Sequence, residues 1–181
     1  MKKGLTLVEI MVVSAILLVI VAMLSNALIQ TREIFATTDI SATLQGDSRL
    51  AISRIAADLR RTSRNELTIL KDTPFAASDT LQYHLPQAIN GTPTTAGNSL
   101  LWDAGDYAIT VNPVNNRLIR TDPDGNTTIL AQNIAAIQAD DFNTDNTLAL
   151  NEISIVVRLQ KEGLRNIVHN FNATSTINMR N

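Results

Sequence analysis

The chain has no cysteine. Disulfides, thiol nucleophiles, iron–sulfur clusters and cysteine zinc sites are therefore excluded. Its compartment stays open, because a secreted protein can do without disulfides. Aromatic residues make up only 4% of the 181 positions, too few for a base-stacking platform. Neither sign of charge dominates: 15 Lys and Arg face 17 Asp and Glu, a formal net charge of −2. That balance supplies no field for a polyanion and argues against nucleic acid as a partner. No internal repeat of about 20–50 residues is present, which argues against a solenoid. There is no P-loop, dinucleotide fingerprint, G-x-S-x-G or H-E-x-x-H motif. His84 and His169 stand alone, and a triad assembled from residues scattered this widely carries no weight. An enzyme is not expected. The length suits one domain.

What the chain does have is one long apolar run. Leu5 to Thr31 holds a single charge, Glu9, in 27 residues, whereas charges recur regularly from Arg32 onward. The 20 residues from Ile10 to Ile29 carry none, and a helix of that length crosses a hydrocarbon core of about 30 Å. Lys2 and Lys3 precede the run, so the N-terminus is expected on the cytoplasmic side and the C-terminus outside. A cleaved secretory signal fits poorly. The run exceeds the usual apolar region of about 7–15 residues, and no A-x-A site follows it cleanly. Glu9 is the second objection, because a carboxylate at the edge of a membrane segment is costly and calls for a partner.

The segment Gly4-Leu5-Thr6-Leu7-Val8-Glu9, followed by the unbroken apolar helix, resembles the processing site of type IV prepilins and of type II secretion pseudopilins. The resemblance covers about the first 30 residues. It implies a basic leader, residues 1–4, removed by a prepilin peptidase between Gly4 and Leu5, with Leu5 then N-methylated. It also implies an inner-membrane precursor that later joins other pilins through its N-terminal helix, in a pilus or pseudopilus. Any motor ATPase would be another protein. Cleavage would place a new α-amino group one turn above Glu9, on the same helix face. Among packed helices, a neighbour's amine is a natural partner that would set register. The alternatives for Glu9 are its own chain's amine or the lipid headgroups. The sequence departs from the major-pilin pattern: Leu5 replaces phenylalanine, Asn26 stands where proline is usual, and no cysteine pair closes a C-terminal loop. The last two departures favour a minor subunit.

Past Thr31 the pattern turns amphipathic. Leu44, Ala51, Ile52, Ile55 and Leu59 recur at helical spacing, while Arg49, Arg54, Arg60, Arg61 and Arg64 fall mostly on other faces. These arginines are better explained as a solvated helix face than as a DNA-binding patch. Asp58 is placed to pair with Arg54 or Arg61 along the helix. A helix from Leu5 to about Arg61 would be roughly 85 Å long, with Gly46 as its weak point. Arg54-Ile55-Ala56-Ala57-Asp58-Leu59-Arg60-Arg61 and the ending Thr176-Ile177-Asn178-Met179-Arg180-Asn181 resemble PilW-type minor pilins and the J-type minor pseudopilin.

The remainder reads as β. Strands are expected at Leu67–Lys71, Thr80–Leu85, Ser99–Trp102, Tyr107–Val111, Arg117–Thr121, Thr127–Ala131, Ile134–Gln138, Ile153–Gln160 and Thr174–Met179. Turn pairs separate them at Asn90-Gly91, Asn115-Asn116, Asp124-Gly125 and Glu162-Gly163. Residues 87–98 read as a surface loop, and Trp102 as a core or interface residue. The expected class is α+β: leader 1–4, membrane or filament-core helix 5–31, amphipathic continuation 32–64, and an antiparallel β head 65–181. An adhesive or ligand-binding tip module is a further functional alternative.

One acidic loop has the spacing of a calcium site. Asp141, Asn143, Asp145 and Glu152 fall at positions 1, 3, 5 and 12 of a twelve-residue calcium loop, with Leu148 at the apolar eighth position. Asn146 replaces the glycine expected at position 6, and the flanks read as strands rather than helices. A polar hairpin loop is the preferred reading, so no cofactor is assigned, with calcium as the one candidate.

Overall fold

The computed structural model describes residues 7–71, 78–89, 92–97 and 99–180. Gly4, Leu5 and the leader lie outside these residues, as do the Asn90-Gly91 turn and Asn98. One helix, α1, runs without interruption from Leu7 to Leu59. At 1.5 Å per residue its 53 residues extend about 80 Å. Gly46 does not break it, because the flanking turns bury Leu44 and Ser48 against the head.

The helix leads two lives. From Leu7 to Asp39 no residue is buried. From Ile40 onward a stripe of Ile40, Leu44, Ser48, Ala51, Ile55, Ala56, Asp58 and Leu59 is buried. Most steps along it are three or four residues, so one face stays turned to the core. Small Ser48 and Ala51 let the helix approach closely, and the Ser48 hydroxyl donates to the Gln45 carbonyl at 2.8 Å. Helix ends after Leu59, short of the expected Arg61. Arg61 closes a tighter turn onto the Asp58 carbonyl, and Ser63 then pairs with Arg180.

The head follows as antiparallel strands, which confirms the α+β class. β1 (Leu67–Leu70) and β2 (Thr80–Tyr83) precede two small exposed ribbons, β3–β4 (Ala88–Ile89, Thr92–Pro93) and β5–β6 (Thr95–Ala96, Ser99–Leu100). The segment read as a loop thus holds short pairings. Then come β7 (Tyr107–Asn112), β8 (Arg117–Thr121), β9 (Thr127–Ala131), β10 (Ile134–Asp141), β11 (Glu152–Glu162) and β12 (Val168–Asn178). One sheet has the order β1-β2-β7-β8-β9 and the other β10-β11-β12. Trp102 is half-buried and bridged to Pro86 rather than set in the central core. At Asp122-Pro123-Asp124-Gly125 the chain makes the tight β8–β9 turn, with Gly125 at φ +84° and its amide on the Asp122 carbonyl at 2.9 Å.

Strand β11 shows the plainest alternation: Ile153, Ile155, Val157 and Leu159 are buried, with half-buried neighbours between them. Its partner β12 begins six residues before the expected Thr174. Asn170 and Asn172 disfavour a strand locally, but eleven register pairs with β11 override them. Strand β12 also lies along α1. At one end, a Cβ on Gly163 would meet Ile40 and His169. At the other, the Arg180 amide donates to the Thr62 carbonyl at 3.1 Å. Residues 40–59 of the helix rise about 29 Å, and residues 169–178 of the strand span about 31 Å, so the two run side by side in the same direction.

Asp58 corrects the expectation of pairing along the helix. It points into the head, 7% exposed. The Tyr83 hydroxyl donates to its Oδ2 at 2.7 Å, and Arg120 Nη1 lies 3.3 Å away. Tyr83 stacks on Tyr107, its cross-strand partner, with ring centroids 5.8 Å apart. Burial, then the Asp58 charge, push the Tyr83 hydroxyl well above the ordinary tyrosine range, so it remains a donor. A lone carboxylate here would be costly, and β2 and β8 each supply a partner. Asp58→Ala should cost about 2–3 kcal/mol in urea unfolding, less than a fully buried pair because Arg120 keeps 31% of its side chain exposed. Tyr83→Phe should cost about 1 kcal/mol. Equal effects would mean that the charge itself contributes nothing.

Candidate functional site

The N-terminal half of α1 is the first candidate, because the fold leaves it without a role inside the subunit. Its large apolar side chains are exposed: Leu7, Met23 and Leu18 at 75, 67 and 68%, and the other large ones from residue 8 to 29 above half. No residue of its apolar window is buried, and by length and composition the helix can cross a membrane. Glu9 lies in the first described turn. Ser14 and Thr31 donate to carbonyls four residues back, at 2.8 Å each, so these hydroxyls place no unmet polar group in an apolar surrounding. Gly4 and Leu5 precede the described residues, so the relation of the cut site to Glu9 rests on helical spacing alone.

Residues 1–25 match the family described as the prokaryotic N-terminal methylation motif. No curated protein and no solved structure matches the chain. The motif supports a type IV pilin-like or pseudopilin subunit, whose family is structural rather than enzymatic. It implies processing by prepilin peptidase and assembly with other pilins, and it fits a membrane-anchored form before assembly.

The acidic loop is the second candidate. It connects β10 to β11 as a hairpin. Its carboxylates face their own loop. Asp141 Oδ1 accepts from the Asn143 and Thr144 amides at 3.0 and 3.1 Å and from the Thr144 hydroxyl at 2.8 Å. Asp141 Oδ2 pairs with Arg64, which is thereby drawn off the solvated helix face expected for it. Asp145 accepts from the Thr147 amide and hydroxyl at 3.0 and 2.7 Å, and Glu152 accepts from the Ala149 amide at 3.0 Å. The Asn143 side-chain amide donates to Asp141 at 3.4 Å. Among the described residues, no group of three or more His, Cys, Asp or Glu comes together as a metal site. Burial raises the Asp141 carboxyl, but the Thr144 hydroxyl, the Arg64 charge and the two amides outweigh it and hold it below the usual range. The Thr147 hydroxyl and amide also lower Asp145.

Three polar clusters were not legible in sequence. Lys71 joins Asp79 and Asp140 at 3.1 and 2.8 Å where the two sheets meet, and Asp79 Oδ2 also accepts from the Ala139 amide. His84 lies between Glu66 and Asp106, with each ring nitrogen 2.8 Å from a carboxylate. The Asp58 cluster is the third, and it had a signal: an acidic residue on the apolar stripe of an amphipathic helix.

The loop gives two expected outcomes. Asp141→Asn should destabilise the head by about 1.5–3 kcal/mol at neutral pH, the range for hydrogen bonds to a charged group. The lowered folded-state pKa fixes the sign of the pH dependence. The Asp141 contribution is complete above its unfolded value, about 3.9, and is lost as pH falls through the lower folded value. Urea unfolding at stepped pH should therefore show wild type and variant converging in acid. Added Ca²⁺ should leave the melting temperature of the detergent-solubilised chain unchanged. A rise that Asp145→Asn abolishes would show that the loop rearranges around the ion.

Proposed function

We propose that the chain is a minor pilin: a structural subunit that enters, or primes, a type IV pilus after prepilin peptidase cuts between Gly4 and Leu5. One observation carries the reading. A single rigid helix joins a head that is complete without its first half to an exposed apolar rod headed by the methylation motif. Such a rod has two apolar surroundings to occupy, the bilayer and the inside of a bundle of like helices. Moving from the first to the second is assembly. In the bundle the Glu9 carboxylate meets a neighbour's methylated amine and sets the axial step between subunits. Subunit-to-subunit variety resides in the head.

A minor pseudopilin of a type II secretion tip is the second reading. The Asp58-Leu59-Arg60 segment and the Met179-Arg180-Asn181 ending serve it equally, and gene neighbours would separate the two. In both cases the inner membrane holds the precursor with its head outward.

Expression with and without the peptidase, followed by mass spectrometry of the N-terminus, tests the proposal. The expected mature chain begins at a methylated Leu5. A product that still begins at Met1 beside an active peptidase would overturn it. Glu9→Ala should leave processing intact and lower the subunit's recovery in sheared filaments by roughly tenfold or more, the loss of one charge pair of about 1.4 kcal/mol. Unchanged recovery would mean that the head alone directs incorporation.

A further inference from the structure

The turn between β11 and β12 carries an apolar tip that the head does not use. Gly163 leads into a short helical turn, Leu164–Asn166, and Asn166 takes the left-handed conformation at φ +58°. Gly163 and Ile167 close it with a 2.8 Å backbone hydrogen bond. Polar residues would serve this geometry equally well. Instead Leu164 and Ile167 are each 55% exposed and Val168 is 45% exposed. Leu164 and Ile167, together with Ala36, Thr37 and Ile40 of the helix, border a cleft of about 110 Å³.

The position of the turn identifies what covers it. The same cleft reaches Glu33 on α1, only four residues past Ile29, the last residue of the uncharged span. That is about 6 Å along the helix. The polar layer of a bilayer adds roughly 5–8 Å to each side of the hydrocarbon core. With residues 10–29 across the core, the Glu33 end of the cleft lies within that layer, and its Ile40 end rises about 16 Å above Ile29. Ile34 and Phe35, 64 and 70% exposed on the same stretch of helix, lie at the same depth. Because β12 runs along α1 away from the span, this turn is the end of the head nearest the membrane.

We propose that the β11–β12 turn seats the head on the outer face of the inner membrane before assembly, with Leu164 and Ile167 in the lipid interface beside Ile34 and Phe35. The proposal rests on the membrane-inserted precursor described above. Apolar side chains at such a surface sink about 5–10 Å toward the acyl boundary. A second point of contact, offset from the helix, would fix the tilt of the rod and the height of the head. Extraction into a filament would then require both contacts to be released.

The cysteine-free chain permits single-site spin labelling without further substitution. The full chain would be reconstituted in vesicles of phosphatidylethanolamine and phosphatidylglycerol and labelled in turn at Ile167→Cys, Leu164→Cys, Val114→Cys and Val13→Cys. Val114, 86% exposed between β7 and β8, reports water, and Val13 reports the span. Accessibility to oxygen and to a water-soluble nickel chelate would be read from power saturation. The expected result is a severalfold higher oxygen-to-nickel ratio at 167 and 164 than at 114, approaching that at 13. A ratio at both turn positions equal to that at 114 overturns the proposal. So does spin–spin broadening between copies at 167 with free nickel access, which would assign the turn to a second subunit. Free nickel access at 13 as well would instead refute the membrane-inserted precursor. A Leu164→Glu, Ile167→Glu variant supplies an independent measurement. Its head should become severalfold more susceptible to protease added outside the vesicles, with an unchanged melting temperature. Unchanged susceptibility counts against the proposal.

Discussion

One unbroken helix has to satisfy two surroundings, and the rest of the molecule follows from where it changes between them. Above Ile40 the sequence is written for a protein core: apolar residues three or four apart, small residues where the sheets come close, and one acid that the head neutralises. Before Arg32 the sequence is apolar on every side, and none of its described residues is buried in the subunit. A helix apolar all round is stable only when lipid or other helices surround it. The two sheets never reach past the β11–β12 turn. The subunit is therefore finished as a folded head and unfinished as a rod, and the missing surroundings must come from outside the chain.

The head is held to the rod by both apolar and polar contacts. The stripe from Ile40 to Leu59 packs against β9, β11 and β12, and burial of this kind dominates stability. Burial is tolerant of small rotations, however. Asp58 is not, since Tyr83 from β2 and Arg120 from β8 must both reach it. The Arg54 guanidinium on the Ile129 carbonyl at 3.1 Å and the Asn133 amide on Asp47 at 2.6 Å tie β9 and the turn after it to helix positions about two turns apart. These directional contacts give the sheets one angular setting on the helix.

Much of this was legible in the residues. The helix, its apolar half, the buried stripe at Leu44, Ala51, Ile55 and Leu59, and most strand positions follow from periodicities of 3.6 and 2. The motif at Gly4 to Glu9 is short but chemically specific. What escaped was non-local. Nothing near Asp58 in sequence reveals Arg120, and nothing near Arg64 reveals Asp141. Helical spacing suggested local partners that the tertiary fold overrode. The start of β12 escaped because Asn170 and Asn172 look like loop residues until β11 is set beside them. The spacing of Asp141 to Glu152 was legible too, but not that Asp141 Oδ1, Asp145 and Glu152 accept from nearby backbone amides while Asp141 Oδ2 meets Arg64.

The alignment of β12 with α1 has a mechanical meaning. The rod enters the head through the backbone after Leu59, and in a chain without disulfides every other tie between them is non-covalent. Because strand and helix run side by side from Ile40 to Thr62, a pull along the rod loads those contacts together, in shear, instead of peeling them one after another. The clasp between Thr62 and Arg180 closes the far end of that joint. Such a lap joint resists a steady axial tug better than a crossing of the same area would, and it lets a cysteine-free subunit bear load.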